Sequence, residues 1–372
     1  MKRFYISRRA FLATSAAAMA AMTTSSGFAQ DDEHNNPATT PGIIPSNTYP
    51  ETTSSLTVKD PSRFKILQIT DSHFFHPKRE EGAEMLSRAG VKNRDERTID
   101  DWKRLVDIVR PDMIAHTGDC WHDNPDDRAA EFQAQAIAWI ESLGVPFTFV
   151  WGNHDQLPDI PKGHDAWHDA KNSLYRGGPG SGNYTVDIMN TDGKRVFELF
   201  CINTHRFGLI GTSLDWLKGT VEKRSASGET YPPALLFHHI PTKAYVDALK
   251  SASAAGVFLE PVTHNDEDGT AFPLIAALKT VRACFCGHDH VSDISGMMDG
   301  IELVFGRSSG WGGYGSETVR KGGKVITVNC ESGQYAWESV FSDGMRWQPT
   351  PGVVIDKALD APYLTDPLKG TA

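Results

Sequence analysis

The chain after residue 60 begins by alternating short apolar runs with segments of helical spacing. Three runs are typical of buried strands: residues 63–70 (RFKILQIT), 112–117 (DMIAHT) and 146–151 (PFTFVW). Between them, residues 96–109 (ERTIDDWKRLVDIV) and 128–144 (RAAEFQAQAIAWIESLG) repeat apolar side chains at helical spacing. This β-α-β-α-β order predicts a layered α/β domain.

The second half of the chain is richer in strands. The runs NYTVDIMN and RVFELFCINT flank the turn TDGK, a pattern that predicts a β-hairpin. Helices are expected at residues 213–223 and 272–279, and four later runs predict further strands: PALLFHHI, VRACFCG, IELVFG and KVITVNC. With no internal repeat visible, we expect one domain with two sheets over residues 61–350, followed by a C-terminal tail at 351–372.

The N-terminus has the pattern of an export signal rather than of a folded element. A basic start contains Arg8 and Arg9 within SRRAFL, and an Ala-rich stretch follows up to about Gln30. We predict that residues 1–30 are a cleaved Tat-type signal peptide that engages the Tat export machinery, which would make the mature protein periplasmic or secreted. The stretch is short and weakly apolar, so no stable membrane insertion is expected; an uncleaved anchor is the alternative. Residues 31–60, rich in Pro, Thr, Ser and Asn, predict a linker or an extended arm.

Charge and cysteine content narrow the class of protein. The 372-residue chain has a net charge of −10, and residues 1–30 hold four basic side chains and no acidic one, so the remainder is more acidic still. That charge argues against a nucleic-acid partner, which needs a basic track, but it permits a small phosphorylated substrate. The five cysteines are odd in number and lack zinc-site spacing, so neither a disulfide framework nor a cysteine-based zinc site is expected.

Candidate chemistry collects where the predicted strands end. An isolated D-x-H or G-D most often marks a turn, but here five apolar runs each lead into residues that bind metals. Carboxylate, amide and imidazole groups converging on one sheet edge would suit Zn, Mn or Fe. The five segments are Asp71-Ser72-His73, Gly118-Asp119, Gly152-Asn153-His154-Asp155, His238-His239-Ile240-Pro241 and Gly287-His288-Asp289-His290.

In order, these segments read D-x-H, G-D, G-N-H-D, H-x-P and G-H-x-H, which resembles the calcineurin-like metallophosphoesterase family over about residues 63–345. The stretches GNHDQ, FHHIP, GHDHVSD and the Gly-rich GRSSGWGGYG resemble its purple-acid-phosphatase-like branch. The resemblance implies an α/β fold: a four-layer α/β/β/α sandwich of two mixed sheets.

The resemblance also implies a binuclear centre of two divalent or trivalent ions (Fe, Mn or Zn). The first ion would be held by Asp71, His73 and His290, the second by Asn153, His239 and His288, with Asp119 bridging them. The H-x-P spacing favours His239, because the side chain of His238 would face the opposite way on the strand; His238 as the ligand is the alternative. The resemblance makes His154 the catalytic candidate, as general acid or phosphate-oxygen donor, and a purely structural histidine is the alternative.

One position departs from the family pattern. Purple acid phosphatases of the plant type carry a tyrosine ligand three residues after the bridging aspartate, and here that residue is His122. An iron form should therefore lack tyrosinate colour. Protein phosphatases have an aspartate there that orients the histidine acting as general acid. Because this aspartate is missing, the carboxylate that pairs with His154 is undecided, with Asp123 and Asp155 as candidates.

Together these features predict an exported binuclear-metal phosphoesterase that hydrolyses phosphate monoesters by metal-bound hydroxide. The alternatives are a phosphodiesterase of the same fold and a non-catalytic exported protein that binds metal or ligand. Further residues are considered for the substrate side of the site, with ordinary structural roles as the alternative: His122, His205, Arg206, Lys243, Arg307, Trp311 and Tyr314.

Overall fold

The computed structural model describes residues 52–76, 94–123, 128–316 and 318–356. The predicted signal peptide, most of the predicted arm and most of the predicted C-terminal tail lie outside the described residues. Within those four ranges, no helix combines the length and apolar character needed to cross a bilayer.

Two mixed sheets make up the β-structure. The larger has nine strands in the order β1-β5-β6-β7-β9-β11-β10-β8-β15. Its strands are β1 (Thr53–Thr57), β5 (Tyr184–Met189), β6 (Arg195–Cys201), β7 (Ala234–Phe237), β8 (Ala255–Phe258), β9 (Val281–Cys286), β10 (Ser292–Met298), β11 (Ile301–Phe305) and β15 (Val354–Ile355). Strands β6, β7, β9 and β11 run parallel to their neighbours in that series, which aligns their carboxyl ends.

The smaller sheet has six strands in the order β14-β13-β12-β2-β3-β4. They are β2 (Phe64–Ile69), β3 (Met113–His116), β4 (Phe147–Phe149), β12 (Gly323–Asn329), β13 (Gln334–Val340) and β14 (Arg346–Trp347). Strands β2, β3 and β4 are parallel, so the connections between them must cross over, and each of these connections contains a helix. The described helices are α1 (Arg94–Val109), α2 (Ala129–Glu141), α3 (Ile160–Asp169), α4 (Gly211–Ser227), α5 (Ala244–Ala248) and α6 (Ala271–Ala277), besides a 3₁₀ turn at Pro61–Arg63.

The strands are apolar on both faces because both faces are covered. Along β7, Leu235 and Phe237 join the core cluster that includes Ile66 of β2 and Ile114 of β3. Leu236, between them in sequence, joins a second cluster with residues of α5 and α6. Alternation along one strand thus feeds two hydrophobic layers. The result is the predicted four-layer α/β/β/α sandwich of two mixed sheets.

The hydrophobic pattern predicts the main elements but not the margins of the sheets. Both predicted helices of the first half form, the hairpin β5–β6 forms, and each predicted strand forms at its run, with β12 beginning one residue earlier at Gly323. The larger sheet extends past residues 61 and 350, because β1 pairs with β5 and β15 pairs with β8. Edge strands have one partner and can be polar, so their sequences carry little apolar signal. The pattern also missed α3, α5, β8, β10, β13 and β14.

Candidate metal centre

The carboxyl ends of five strands meet at one edge of the sandwich. β2, β3 and β4 are neighbours in the smaller sheet, and β7 and β9 are neighbours in the larger one. Parallel neighbours end at the same edge, where open α/β sheets bind their ligands. The segments that follow these strands carry all of the predicted site residues: Asp71, His73, Asp119, Asn153, His154, His239, His288 and His290.

A first donor set contains Asp71, His73, Asp119 and His290, whose ligand-type atoms all lie within 4.8 Å of one another. His73 Nε2 lies 3.0 Å from His290 Nε2 and 3.5 Å from Asp119 Oδ2. His290 Nε2 lies 3.4 Å from Asp71 Oδ1. Two ligand atoms that are each about 2.1 Å from one ion lie roughly 3.0 to 3.4 Å apart in octahedral or tetrahedral geometry. The spacing therefore fits one transition-metal ion.

A second donor set contains Asp119, His239 and His288. His239 Nε2 lies 3.2 Å from Asp119 Oδ2 and 3.1 Å from Asn153 Oδ1. The rings of His239 and His288 are 5.1 Å apart between centroids. Asp119 Oδ2 faces a histidine of each set, which is the placement a bridging carboxylate needs.

The backbone is strained at these residues. Asp71, His73, Asp119 and His288 have φ of 54°, 47°, 53° and 78°, in the left-handed region. Side chains other than glycine rarely adopt that region, although Asp and His do so more readily than most. Such strain persists where the surrounding contacts over-determine it, which is typical of functional sites.

The glycines of the motifs make room for the donors. A Cβ on Gly152 would lie 2.2 Å from the backbone N of Asp119, and one on Gly287 would lie 2.1 Å from Thr70 Oγ1. Heavy atoms do not approach this closely without displacement. The glycine in G-N-H-D and in G-H-x-H is therefore required by close packing of the loops.

Hydrogen bonds orient the donors. Asp71 Oδ2 accepts from the Thr70 hydroxyl at 2.8 Å and from the His288 N–H at 3.1 Å. Asp119 Oδ1 accepts from the backbone N–H of His154 at 2.8 Å, which leaves Oδ2 for the site. Histidines that bind metals commonly use one ring nitrogen for the ion and donate from the other.

Burial and charge make the two carboxylates acidic. Asp71 and Asp119 are 0% and 1% exposed, and burial by itself would raise their pKa. The charges of His290 and His239 outweigh burial and hold the pKa of Asp71 and of Asp119 below the usual range. Burial by itself would lower the pKa of His239, but the charge and hydrogen bond of Asp119 together outweigh burial and raise the pKa to about 10. Ionised carboxylates buried this completely need cations beside them, and two metal ions would supply the charge.

His154 lies beside the first donor set, with its ring 5.0 Å from that of His73. Its Nδ1 faces Asp123 Oδ1 at 3.4 Å. Asp155 points elsewhere and accepts from the N–H groups of Cys120 at 2.7 Å and Gly152 at 2.8 Å. Burial lowers the pKa of His154, but the nearby carboxylates of Asp123 and Asp119 together prevail and raise it. Of the two candidate partners, the structure supplies Asp123.

The two adjacent histidines that follow β7 face opposite sides of the sheet. His239 faces Asp119, whereas His238 Nε2 lies 3.0 Å from the hydroxyl of Tyr245 on the other side of the sheet. The alternative of His238 as a ligand therefore finds no geometric support.

Of the residues considered for the substrate side, some lie at the surface beside the metal site and others are buried in the protein core. His205 and Arg206 line a cavity of about 280 Å³ beside the loop that carries Gly152 and Gln156. Tyr314 is 46% exposed, and its ring stacks on His290 at 4.0 Å.

Arg307 and Trp311 are buried and do not reach substrate space. Arg307 pairs with Asp293, and Trp311 donates to Asp101 Oδ2 at 2.8 Å. Lys243 donates to the carbonyl of Asp268 at 3.3 Å. Sequence reasoning missed the backbone carbonyls of Thr117 and Tyr314 that face His239 and His290, since any residue can supply a carbonyl.

Three sequence relatives carry names of phosphatases or of a phosphodiesterase. "Probable inactive purple acid phosphatase 28" of Arabidopsis thaliana is 29% identical over 77% of this chain and 80% of its own length. "Phosphatase DCR2" of Saccharomyces cerevisiae is 25% identical over 75% of this chain and 54% of its own. "3',5'-cyclic adenosine monophosphate phosphodiesterase CpdA" of Escherichia coli is 26% identical over 64% of this chain and 74% of its own.

The family itself follows from a broader match. The sequence model of the family described as "Calcineurin-like phosphoesterase" matches residues 64–292. That span covers more than half of the chain and contains every predicted site residue. The chain therefore belongs to the calcineurin-like phosphoesterase family.

Proposed function

We propose that this protein is an exported, binuclear-metal phosphoesterase that hydrolyses small phosphate monoesters in preference to diesters. One observation carries the proposal: two donor sets share Asp119 Oδ2, which faces His73 Nε2 at 3.5 Å and His239 Nε2 at 3.2 Å. The ligand roles proposed are those expected from the sequence. Asp71, His73 and His290 would hold one ion, Asn153, His239 and His288 the other, and Asp119 both.

The donor types fit transition metals. Imidazole, carboxylate and amide ligands suit Zn, Mn or Fe. When bound, two such ions would lower the pKa of a water molecule so that it can act as nucleophile and would neutralise the charge of the phosphate.

The chain would supply the rest of the chemistry through His154. Because Nδ1 of His154 faces Asp123, Nε2 is the nitrogen that can serve a substrate oxygen. The side chain is 31% exposed, so a substrate can reach it. In this position His154 would donate a proton or a hydrogen bond to the leaving oxygen, and Asp123 would hold the ring in the required tautomer.

Two other functions have some support. The Escherichia coli relative is named as a phosphodiesterase, which favours diester hydrolysis as the second candidate. The Arabidopsis thaliana relative is named as probably inactive, which favours a protein that only binds metal or ligand. Against the latter, every predicted donor and His154 is present here, and the donors converge, with Asn153 Oδ1 3.1 Å from His239 Nε2.

Export remains part of the proposal, supported by Arg8 and Arg9 ahead of a weakly apolar stretch. Changing both to lysine should leave the precursor in the cytoplasm. Delivery of unchanged amounts of mature protein to the periplasm would refute this route.

The decisive experiment combines metal analysis with turnover. The wild type should bind close to two ions and hydrolyse aryl and alkyl phosphates faster than diesters. Asp119→Asn should lose much of the metal and the activity, whereas Asp107→Asn, an exposed carboxylate on α1, should lose neither. At most one ion in an active preparation would refute the binuclear centre. Two ions without turnover of either ester class would establish the binding-only alternative.

A further inference from the structure

The histidine ligands differ in what faces their second ring nitrogen. His239 Nδ1 lies 2.8 Å from the carbonyl oxygen of Thr117, and His290 Nδ1 lies 3.3 Å from that of Tyr314. His73 Nδ1 instead lies 3.2 Å from Nδ1 of His122, an imidazole. A carbonyl can only accept a hydrogen bond, whereas an imidazole nitrogen accepts in only one of its tautomers.

His122 also contacts His154. Their rings stack at 4.6 Å with an interplanar angle of 18°. The backbone N–H of His122 donates to the carbonyl of Phe74 at 3.0 Å. The ring centroids of His122 and His76 are 3.9 Å apart. The His122 ring is therefore held at a defined place between the ligand His73 and the catalytic candidate His154.

We propose that His122 is a positioning residue with two separable actions. Its Nδ1 accepts the Nδ1–H of His73, so that His73 presents Nε2 to the first ion, and its ring face sets the plane of His154. The proposal rests on the proposed function and assigns a role to the residue found where purple acid phosphatases have a tyrosine ligand.

The two actions require different chemistry, so two substitutions can separate them. His122→Asn retains an acceptor close to the position of Nδ1 but has no ring. His122→Phe retains a ring that can stack on His154 but has no acceptor. Removing the acceptor leaves the Nδ1–H of a buried ligand without a partner, which is the kind of change that costs 10–100-fold in metal affinity.

Zinc affinity tests the first action without any need for turnover. Competition with a chromophoric chelator should show that His122→Phe binds one of two Zn²⁺ ions about 10–100-fold less tightly than wild type, and that His122→Asn stays within about threefold. His168→Phe, which removes a half-buried imidazole bonded to the Gly177 carbonyl, is the control and should bind as wild type. Equal weakening in both His122 variants would overturn the acceptor role, as would wild-type affinity in His122→Phe. Loss of a whole third zinc equivalent would also overturn it, because His122 would then bind an ion of its own.

Leaving-group dependence tests the second action. His122→Phe, at saturating Zn²⁺, should keep the wild-type ratio of rates for aryl and alkyl phosphates, while His122→Asn should lose rate mainly on alkyl phosphates. The reverse pattern would overturn the stacking role.

A measurement on the wild type keeps the proposal testable even if a variant fails to fold. In the zinc-loaded protein with ¹⁵N-labelled histidine, NMR should show the proton on Nδ1 of His73 and on Nε2 of His122. A proton on Nδ1 of His122 would overturn the proposal. Because zinc affinity and tautomer do not depend on catalysis, an inactive protein would refute the proposed function and leave this test intact.

Discussion

The two sheets are joined by a buried charge cluster whose disruption should destabilise the protein strongly. Asp293 on β10 of the larger sheet accepts from Lys324 Nζ on β12 of the smaller sheet at 2.6 Å and from Arg307 Nε at 2.6 Å. Ser339 on β13 donates to the same carboxylate at 2.5 Å. Asp293, Arg307 and Lys324 are 0%, 1% and 1% exposed. One carboxylate therefore compensates two buried cations across the sheet interface.

Asp293→Asn removes the negative charge and keeps the shape. It leaves two buried cations uncompensated and turns an amide N–H₂ toward one of them. Breaking a buried ion pair on one side costs about 3–5 kcal/mol of unfolding free energy, and we expect the upper part of that range because two cations lose their partner. For a domain of this size the melting temperature should fall by about 10 °C.

Urea unfolding of the wild type and of Asp293→Asn measures this loss directly. Lys324→Met in the Asp293→Asn background removes one of the two uncompensated cations and fills its space, so it should restore part of the stability. The double-mutant cycle should give a coupling of at least about 2 kcal/mol. A loss below about 1 kcal/mol for Asp293→Asn, or simple additivity of the two changes, would refute the reasoning.

The pH dependence of this contribution has a definite sign. Burial raises the pKa of Asp293, but Arg307 and Lys324 prevail and lower it below 3.8. A carboxyl that is more acidic in the folded state contributes fully above its ordinary pKa. The contribution is lost as the pH falls below 3.8 toward the folded-state pKa.

Three further predictions concern the site and its surroundings. His154→Ala should retain its metal and lose about two to four orders of magnitude in rate on alkyl phosphates, with a smaller loss on nitrophenyl phosphate; wild-type rates would return His154 to a structural role. An iron-loaded sample should show no intense tyrosinate band in its visible spectrum, because His122 replaces the tyrosine and the Tyr314 hydroxyl donates to Glu260 at 2.7 Å; a strong band that survives chelation of loosely bound iron would contradict this. Burial lowers the pKa of His164 from 6.5 to about 4, so stability should be complete above pH 6.5 and decline toward pH 4, by roughly 3 kcal/mol from this residue; urea unfolding of His164→Asn should show a shallower decline over that range, and an unchanged slope would contradict it.

The sequence by itself determined the central strands that lead to the site and the residues that follow them. Apolar runs such as RFKILQIT and VRACFCG are readable because both faces of a central strand are buried, so apolar side chains predominate along it. The order of five ligand-bearing segments after such strands predicts one shared edge, because carboxyl ends of parallel strands meet there. Asp119 and His288 could therefore be placed at one site although they are far apart in the chain.

Only the tertiary structure decided the partners and the margins. Asp123 rather than Asp155 faces His154, and Arg307 lies in the core with Asp293 rather than at the phosphate. These outcomes depend on which loops pack together, and sequence distance says nothing about that. Likewise, β1 and β15 form because a sheet edge offers unpaired N–H and carbonyl groups to whatever segment lies beside it, so their pairing leaves almost no hydrophobic signal.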